Sequence, residues 1–211
     1  MKTGTLLVVL WLCFGPINAQ QLIEKHMDFN GKESASFKIQ IADSINLQTW
    51  NKDEIYIKAS VNINDNKDNE AYLTSFDISG NEVVVNARFK EKYFNGKNNC
   101  CNKTDIYWLI CIPEKTRFSI ETINANITIT GKTGEMKVKS ISGYIDLAVP
   151  ATKEAALDFS TISGTMYSNH KFALSSKHTS IPVKIAEKLN NGGDLIRLET
   201  ISGDIFFRKS E

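Results

Sequence analysis

The chain has 211 residues, 42% of them hydrophobic and 23% charged, which excludes wholesale disorder and leaves room for one sizeable domain or two small ones. A formal net charge of +1 excludes a strongly basic nucleic-acid binder, or a protein held on anionic membranes by its overall field.

The N-terminus, MKTGTLLVVLWLCFGPINAQQ, has a basic start at Lys2, an apolar run from Leu6 to Phe14, a helix-breaking Gly15-Pro16 and the small residue Ala19. This order is that of a cleaved signal peptide over 1–19, and it implies export to the periplasm, the cell surface or the medium. The run is shorter than the ~20 residues a membrane span needs, so no transmembrane anchor is expected after cleavage. Lipid attachment at Cys13 is the competing reading, disfavoured because Leu12 stands where a small residue is wanted.

From residue 20 the chain reads as all β. Phe37, Ile39 and Ile41 alternate with polar residues, as do Ile55, Ile57, Ala59, Val61 and Ile63, and then Val83, Val85, Ala87 and Phe89. WNKDE, NDNKDNE and ISGNE between them supply turn residues. The stretch DIYWLICIP is apolar in both parities, which predicts a strand covered on both faces and ended by Pro113. These elements make up an N-terminal β region over 20–112.

Export permits a disulfide. The pairing expected joins Cys111 to Cys101 or its neighbour Cys100, in the polar loop NGKNNCCNKTD, with three free or partly buried thiols as the alternative. Three sulfurs without a nearby histidine lack the ligand spacing of zinc modules, and no metal or cofactor is expected.

From Arg117 a motif recurs, as RFSIETINANITI, EMKVKSISGYIDL, ALDFSTISGTMYS and LIRLETISGDIFF, starting at Thr122, Ser140, Thr161 and Thr200. The last interval is close to twice the others, so a degraded copy is expected midway, in HTSIPVKIA, with Ser180-Ile181 in register and His178 inward. A period near twenty residues predicts a β-solenoid of stacked short-strand coils over 113–211, with the N-terminal region packed on it or continuous with it. Inward residues run two apart up to Thr122, Ser140, Thr161 and Thr200, then restart at Ile123, Ile141, Ile162 and Ile201 and continue through Ala125, Gly143, Gly164 and Gly203. Such a parity change calls for a bend. The structural corners are therefore placed at Ile141-Gly143, Ile162-Gly164 and Ile201-Gly203, with glycine where a Cβ would crowd the turn and a hydroxyl available for an unpaired backbone group. Sequential stacking also predicts an outward row Ser119, Lys137, Asp158, Lys177 and Arg197 with alternating charges.

TINANITI, SISGYIDL, TISGTMYS and TISGDIFF, preceded by INLQTWNKDEIYIKA and YWLICIPEKTRFSIE, resemble the bacterial "putative adhesin" family of the head GIN-domain type over most of the chain. The resemblance implies an exported protein of stacked β coils, from a Gram-negative bacterium of the gut or a related habitat, and it brings no catalytic residues with it. The NNCCNK insertion and the degraded fourth corner depart from the family pattern.

The function expected is a non-catalytic extracytoplasmic scaffold that presents an outward strand face to a protein or a glycan at the cell envelope. Tyr144, Asp146, Tyr167 and Phe206, outward after the corners, form the candidate contact face. One alternative is a carbohydrate-active enzyme using Asp146 and Asp204, which sequential stacking separates by several coils. A periplasmic partner of an envelope signalling system is the other.

Overall fold

The computed structural model describes residues 20–95, 102–171 and 182–210. The expected signal peptide with Cys13, the pair Cys100 and Cys101, and the degraded corner with Lys177, His178 and Ser180-Ile181 lie outside the described residues. In chain order the strands are β1 (Gln21–Asp28), β2 (Ser34–Ile39), β3 (Ile41–Trp50), β4 (Glu54–Ile63), β5 (Tyr72–Ser79), β6 (Glu82–Phe89), β7 (Thr104–Pro113) and β8 (Arg117–Thr130). Then come β9 (Met136–Ser142), β10 (Ile145–Val149), β11 (Ala155–Thr161), β12 (Met166–Ser168), β13 (Val183–Leu189), β14 (Asp194–Ser202) and β15 (Ile205–Lys209).

The fifteen strands form one sheet, bent into two facing layers. One layer runs β5-β6-β2-β8-β9-β14-β11-β13 and the other β1-β4-β7-β3-β8-β10-β15-β12. Strand β8 belongs to both, its Arg117–Glu121 half pairing with β2 and its Asn124–Thr130 half with β3. The central pairings are parallel, while antiparallel pairs occur toward the ends, at β1-β4, β4-β7, β5-β6 and β11-β13.

The alternation that predicts the strands also fills the space between the layers. In β4, Ile55, Ile57, Ala59, Val61 and Ile63 are all completely buried, as are Ile106, Ile110 and Ile112 of β7. Each aliphatic side chain buried this way contributes about 1.5–3 kcal/mol, much of it offset by the entropy of ordering the chain. Phe159 of β11 meets Phe207 of β15 edge-on across the layers at 5.2 Å. At the other end, Tyr72 of β5 donates its hydroxyl to the Ile41 carbonyl at 3.0 Å and accepts from Trp108 Nε1 at 3.3 Å, which ties β5 to β3 and β7.

The corners differ from expectation in the side their isoleucines face. Thr122, Ser140, Thr161 and Thr200 are buried, but Ile123, Ile141 and Ile201 are each 43% exposed and Ile162 is 49% exposed. The parity does change, through two consecutive outward residues rather than two inward ones: Ala125 is the next buried position after Thr122. The convex side of a bend has the longer path, so the extra residue goes there, while two adjacent bulky side chains would overpack the concave side. Small residues hold that concave side. A Cβ on Gly143 would overlap the Ala125 carbonyl oxygen, one on Gly203 the Gly143 carbonyl oxygen, and one on Gly164 the Gly203 carbonyl oxygen. Gly143 also takes φ +95°, which disfavours any side chain. Among the corner hydroxyls, Thr161 donates to the Gly203 carbonyl at 3.0 Å and Ser140 to the Ser142 carbonyl at 2.6 Å.

The stacking order is the second difference. Coils do not pile up in chain order, as a continuous solenoid requires: β14 lies between β9 and β11, and β15 between β10 and β12. After β12 the chain goes out to β13, an edge strand antiparallel to β11 with Thr161 opposite Val183, and then returns to fill the inner slot. The described part of the expected degraded copy is thus an antiparallel strand and no further coil. The outward row reads Ser119, Lys137, Arg197, Asp158, and Arg197 Nε lies 2.8 Å from Asp158 Oδ2. An earlier corner is unannounced by the motif: β2 and β3 break at Gln40, with Ile39 and Ala42 both buried.

Strand β7 is less covered than its composition predicts. Its inner face is sealed, but Tyr107 on the other face is 47% exposed and Leu109 is half-buried. Cys111 is a free, buried thiol that accepts a hydrogen bond from Gln48 Nε2 at 3.2 Å, and the other half of the expected Cys101–Cys111 pair lies outside the described residues.

Candidate functional site

The outer face of the second layer carries the candidate contact residues, and the stacking order decides which of them meet. Strand register aligns Thr128, Asp146, Phe206 and Tyr167 in one row across β8, β10, β15 and β12. The row nearer the corner holds Asn126, Tyr144, Asp204 and Thr165, and the row beyond holds Thr130, Ala148, Arg208 and Asn169.

Within these rows the aromatic rings associate. Phe206 and Tyr167 stack with centroids 5.1 Å apart and planes 10° from parallel. Tyr144 meets Phe206 edge-on at 6.0 Å and 85°. Tyr144 and Tyr167 are exposed and Phe206 is half-buried. Neighbouring strands lie ~4.8 Å apart, which brings rings on one row into contact.

Beside the rings, Arg208 grips Asp146 with a two-pronged fork, Nε donating to Oδ1 at 2.7 Å and Nη2 to Oδ2 at 2.6 Å. The carboxylate raises the already high pKa of the guanidinium by accepting these bonds. Asp204 accepts from the Thr165 backbone N–H at 2.7 Å, and Asn126 Oδ1 from the Tyr144 N–H at 3.4 Å. Both are side chains satisfying backbone donors that the corner leaves out of the ladder.

Three of the four predicted contact residues, Tyr144, Phe206 and Tyr167, thus form one aromatic cluster, and the fourth, Asp146, is held beside it. Asp146 and Asp204 are on neighbouring strand positions rather than several coils apart, because β15 pairs with β10. Sequence reasoning missed Arg208. Its parity, two residues after Phe206, marks it as outward, but its partnership with Asp146 exists only in the observed order. The corner residues Gly143, Gly164 and Gly203 flank the site and shape the backbone that presents it.

Behind this face, between the layers at the β12 and β13 end, is a cavity of about 310 Å³ lined by Phe159, Met166, Ile185, Ile205, Phe207 and His170. The His170 ring stacks on Phe207 at 4.4 Å, and its Nε2 has no hydrogen-bond partner among the described residues. Burial lowers the pKa of His170, with Lys209 adding to the effect and a backbone hydrogen bond at Arg208 opposing it. Among the described residues no group of three His, Cys, Asp or Glu side chains is placed to hold a metal ion, and no helix is long and apolar enough to cross a membrane.

No family model matches the chain, and no curated protein matches it in sequence. In fold it is similar to the crystal structure of a "putative cell adhesion protein" from Clostridium sporogenes, with a TM-score of 0.58 at 12% identity, covering 91% of this chain and all of that one. A "putative lipid binding protein" from Parabacteroides distasonis aligns with a TM-score of 0.28 at 8% identity over 91% of this chain and 97% of its own. A "putative adhesin" from Bacteroides fragilis aligns at 0.24 and 10% identity over 92% and 99%. The first shows a shared all-β architecture at a sequence distance where only the fold carries over. Scores as low as the other two carry no argument.

Proposed function

We propose that the protein is an exported, non-catalytic β scaffold of the adhesin kind, whose outer second-layer face binds a partner at the cell envelope. The observation that carries this is the cluster of exposed Tyr144 and Tyr167 around half-buried Phe206, beside the fixed Asp146–Arg208 fork. Aromatic rings grouped on an open sheet face offer contact area at little entropic cost, and a preformed ion pair gives direction without reorganisation. The hydrophobic N-terminus with Gly15-Pro16 and Ala19 supports export, and residues 20–211 are taken as one unit because β8 joins both halves. The name of the Clostridium sporogenes structure is in keeping with adhesion. Each candidate acid is engaged, Asp146 by Arg208 and Asp204 by the Thr165 N–H, which favours binding over hydrolysis.

The test is retention of the labelled mature protein on bacterial envelope fractions. Wild type should bind, and a Tyr167→Ala/Phe206→Ala variant should bind at least tenfold less while melting at nearly the same temperature. Equal retention of both proteins overturns the proposal. So does release of reducing ends from a polysaccharide panel by wild type that disappears in Asp146→Ala.

A further inference from the structure

We infer that the ligand of this face is a neutral glycan, seated with a sugar ring against the Tyr167–Phe206 stack and its hydroxyls on the Asp146–Arg208 fork; this rests on the binding role proposed above. Two kinds of group lie side by side here. The apolar part is aromatic rather than branched aliphatic: Phe206 is covered by the Tyr167 stack and by Tyr144, and the outer face of Tyr167, 50% exposed on the edge strand β12, is the flat surface that suits the C–H face of a pyranose. Aliphatic chains would find a closer match elsewhere, on the exposed ridge of Ile123, Ile141, Ile201 and Ile162.

The polar part is built for hydroxyls. Arg208 uses Nε and Nη2 on Asp146, which leaves Nη1 and the second Nη2 hydrogen as donors. Each Asp146 oxygen keeps accepting capacity beyond its one bond. A sugar hydroxyl both donates and accepts, so neighbouring hydroxyls on one ring can use both halves of the fork. The pair also cancels its own charge, and the carboxylate of Asp204 lies one row away, so phosphates and sugar acids gain no attraction. An apolar floor with a few convergent polar groups is the general composition of a small-ligand site.

Calorimetric titration of the mature protein tests this with hexasaccharides of α- and β-linked glucose, β-linked mannose, galactose and xylose as neutral probes. Oligogalacturonate and phosphatidylcholine vesicles are the charged and lipid probes. The expected result is saturable binding of at least one neutral probe, weakened at least tenfold by Tyr167→Ala and at least threefold by Arg208→Lys, which keeps the charge but not the fork. Tyr167→Phe keeps the ring and should stay within threefold of wild type. Circular dichroism melts of all variants check folding. Loss of neutral binding in Arg208→Lys and Tyr167→Ala with unchanged melts supports the inference. Preference for oligogalacturonate or vesicles, or no neutral probe bound while envelope retention still depends on Tyr167 and Phe206, overturns it and leaves the binding role intact. Failure of both assays overturns both.

Discussion

The corner in β8 and the corners that follow it make the same bend with different residues. At the β8 corner the inner position is Ala125, buried and bearing a Cβ; the equivalent positions are Gly143, Gly203 and Gly164. The difference lies in the neighbour. Beside Ala125 the pairing of β3 with β8 shifts between Ile41 and Ser44, so two residues, Ala42 and Asp43, oppose one. That bulge loosens the approach, and Asp43 reaches out of it to accept the Ile106 N–H at 2.6 Å. Beside each glycine the neighbouring carbonyl occupies the place of a side chain. Glycine at these corners is therefore required by the strand beside it, and alanine is accommodated at the corner whose neighbouring strand is bulged.

The largest effect should come from breaking the tight side of this contrast. Gly203→Val puts a branched side chain against the Gly143 carbonyl in the middle of the stack and should destabilise by about 3 kcal/mol or more, lowering the melting temperature by roughly 6–12 °C. Ala125→Gly, on the loose side, should lower stability by only about 1 kcal/mol through added chain entropy and a lost methyl contact. Similar losses at both positions in thermal melts would remove the distinction.

Between those two falls Tyr72→Phe. It strips the hydroxyl that links the Ile41 carbonyl near the bulge to Trp108 Nε1, so a buried indole N–H and a half-buried carbonyl lose a partner, at about 1.5 kcal/mol in denaturant titrations. Smallest is Ile201→Thr. On the convex side a 43% exposed isoleucine should be replaceable for about 0.5 kcal/mol, whereas an inward isoleucine would give a core-sized loss.

The β12 end of the stack carries a pH-dependent group. His170, buried near β12, resists protonation, so the unfolded chain takes up its proton first as pH falls. Stability from this group is complete above the unfolded pKa near 6.5 and drops as pH falls from there to the lowered folded value. A His170→Phe variant, which keeps the ring stack on Phe207, should flatten this part of the melting curve against pH. An unchanged slope would assign it to other groups.

How much of this was legible follows from what each signal encodes. Alternation reports burial directly, so β4 and its inner Ile55, Ile57 and Ile63 could be read residue by residue. The Thr-Ile-Ser-Gly motif reports a bend and the need for a small residue, and both are present. It does not report curvature, which is why the isoleucines were placed on the wrong side. Nor does it report which coil lies next: the long interval before Thr200 looks like a missing copy, whereas it holds an edge strand and a return. The corner at Gln40 has no serine and no glycine, so repetition could not find it. Tyr144, Phe206 and Tyr167 were legible as outward aromatics, but their contact and the Arg208 fork depend on β15 lying between β10 and β12.

That order is the claim joining fold to site, and paired cysteines test it most directly. Lys139 and Glu199 are opposite each other on β9 and β14, a spacing of ~4.8 Å that a disulfide can span, while Ser160 lies one strand further on. In a Cys100→Ser/Cys101→Ser/Cys111→Ser background, the Lys139→Cys/Glu199→Cys protein should form an intramolecular bond on mild oxidation, seen as a loss of two thiols by mass spectrometry after alkylation. The Lys139→Cys/Ser160→Cys protein should not. Efficient closure of the second pair and not the first would mean the coils stack in chain order, and the aromatic cluster with its fork would not exist as described.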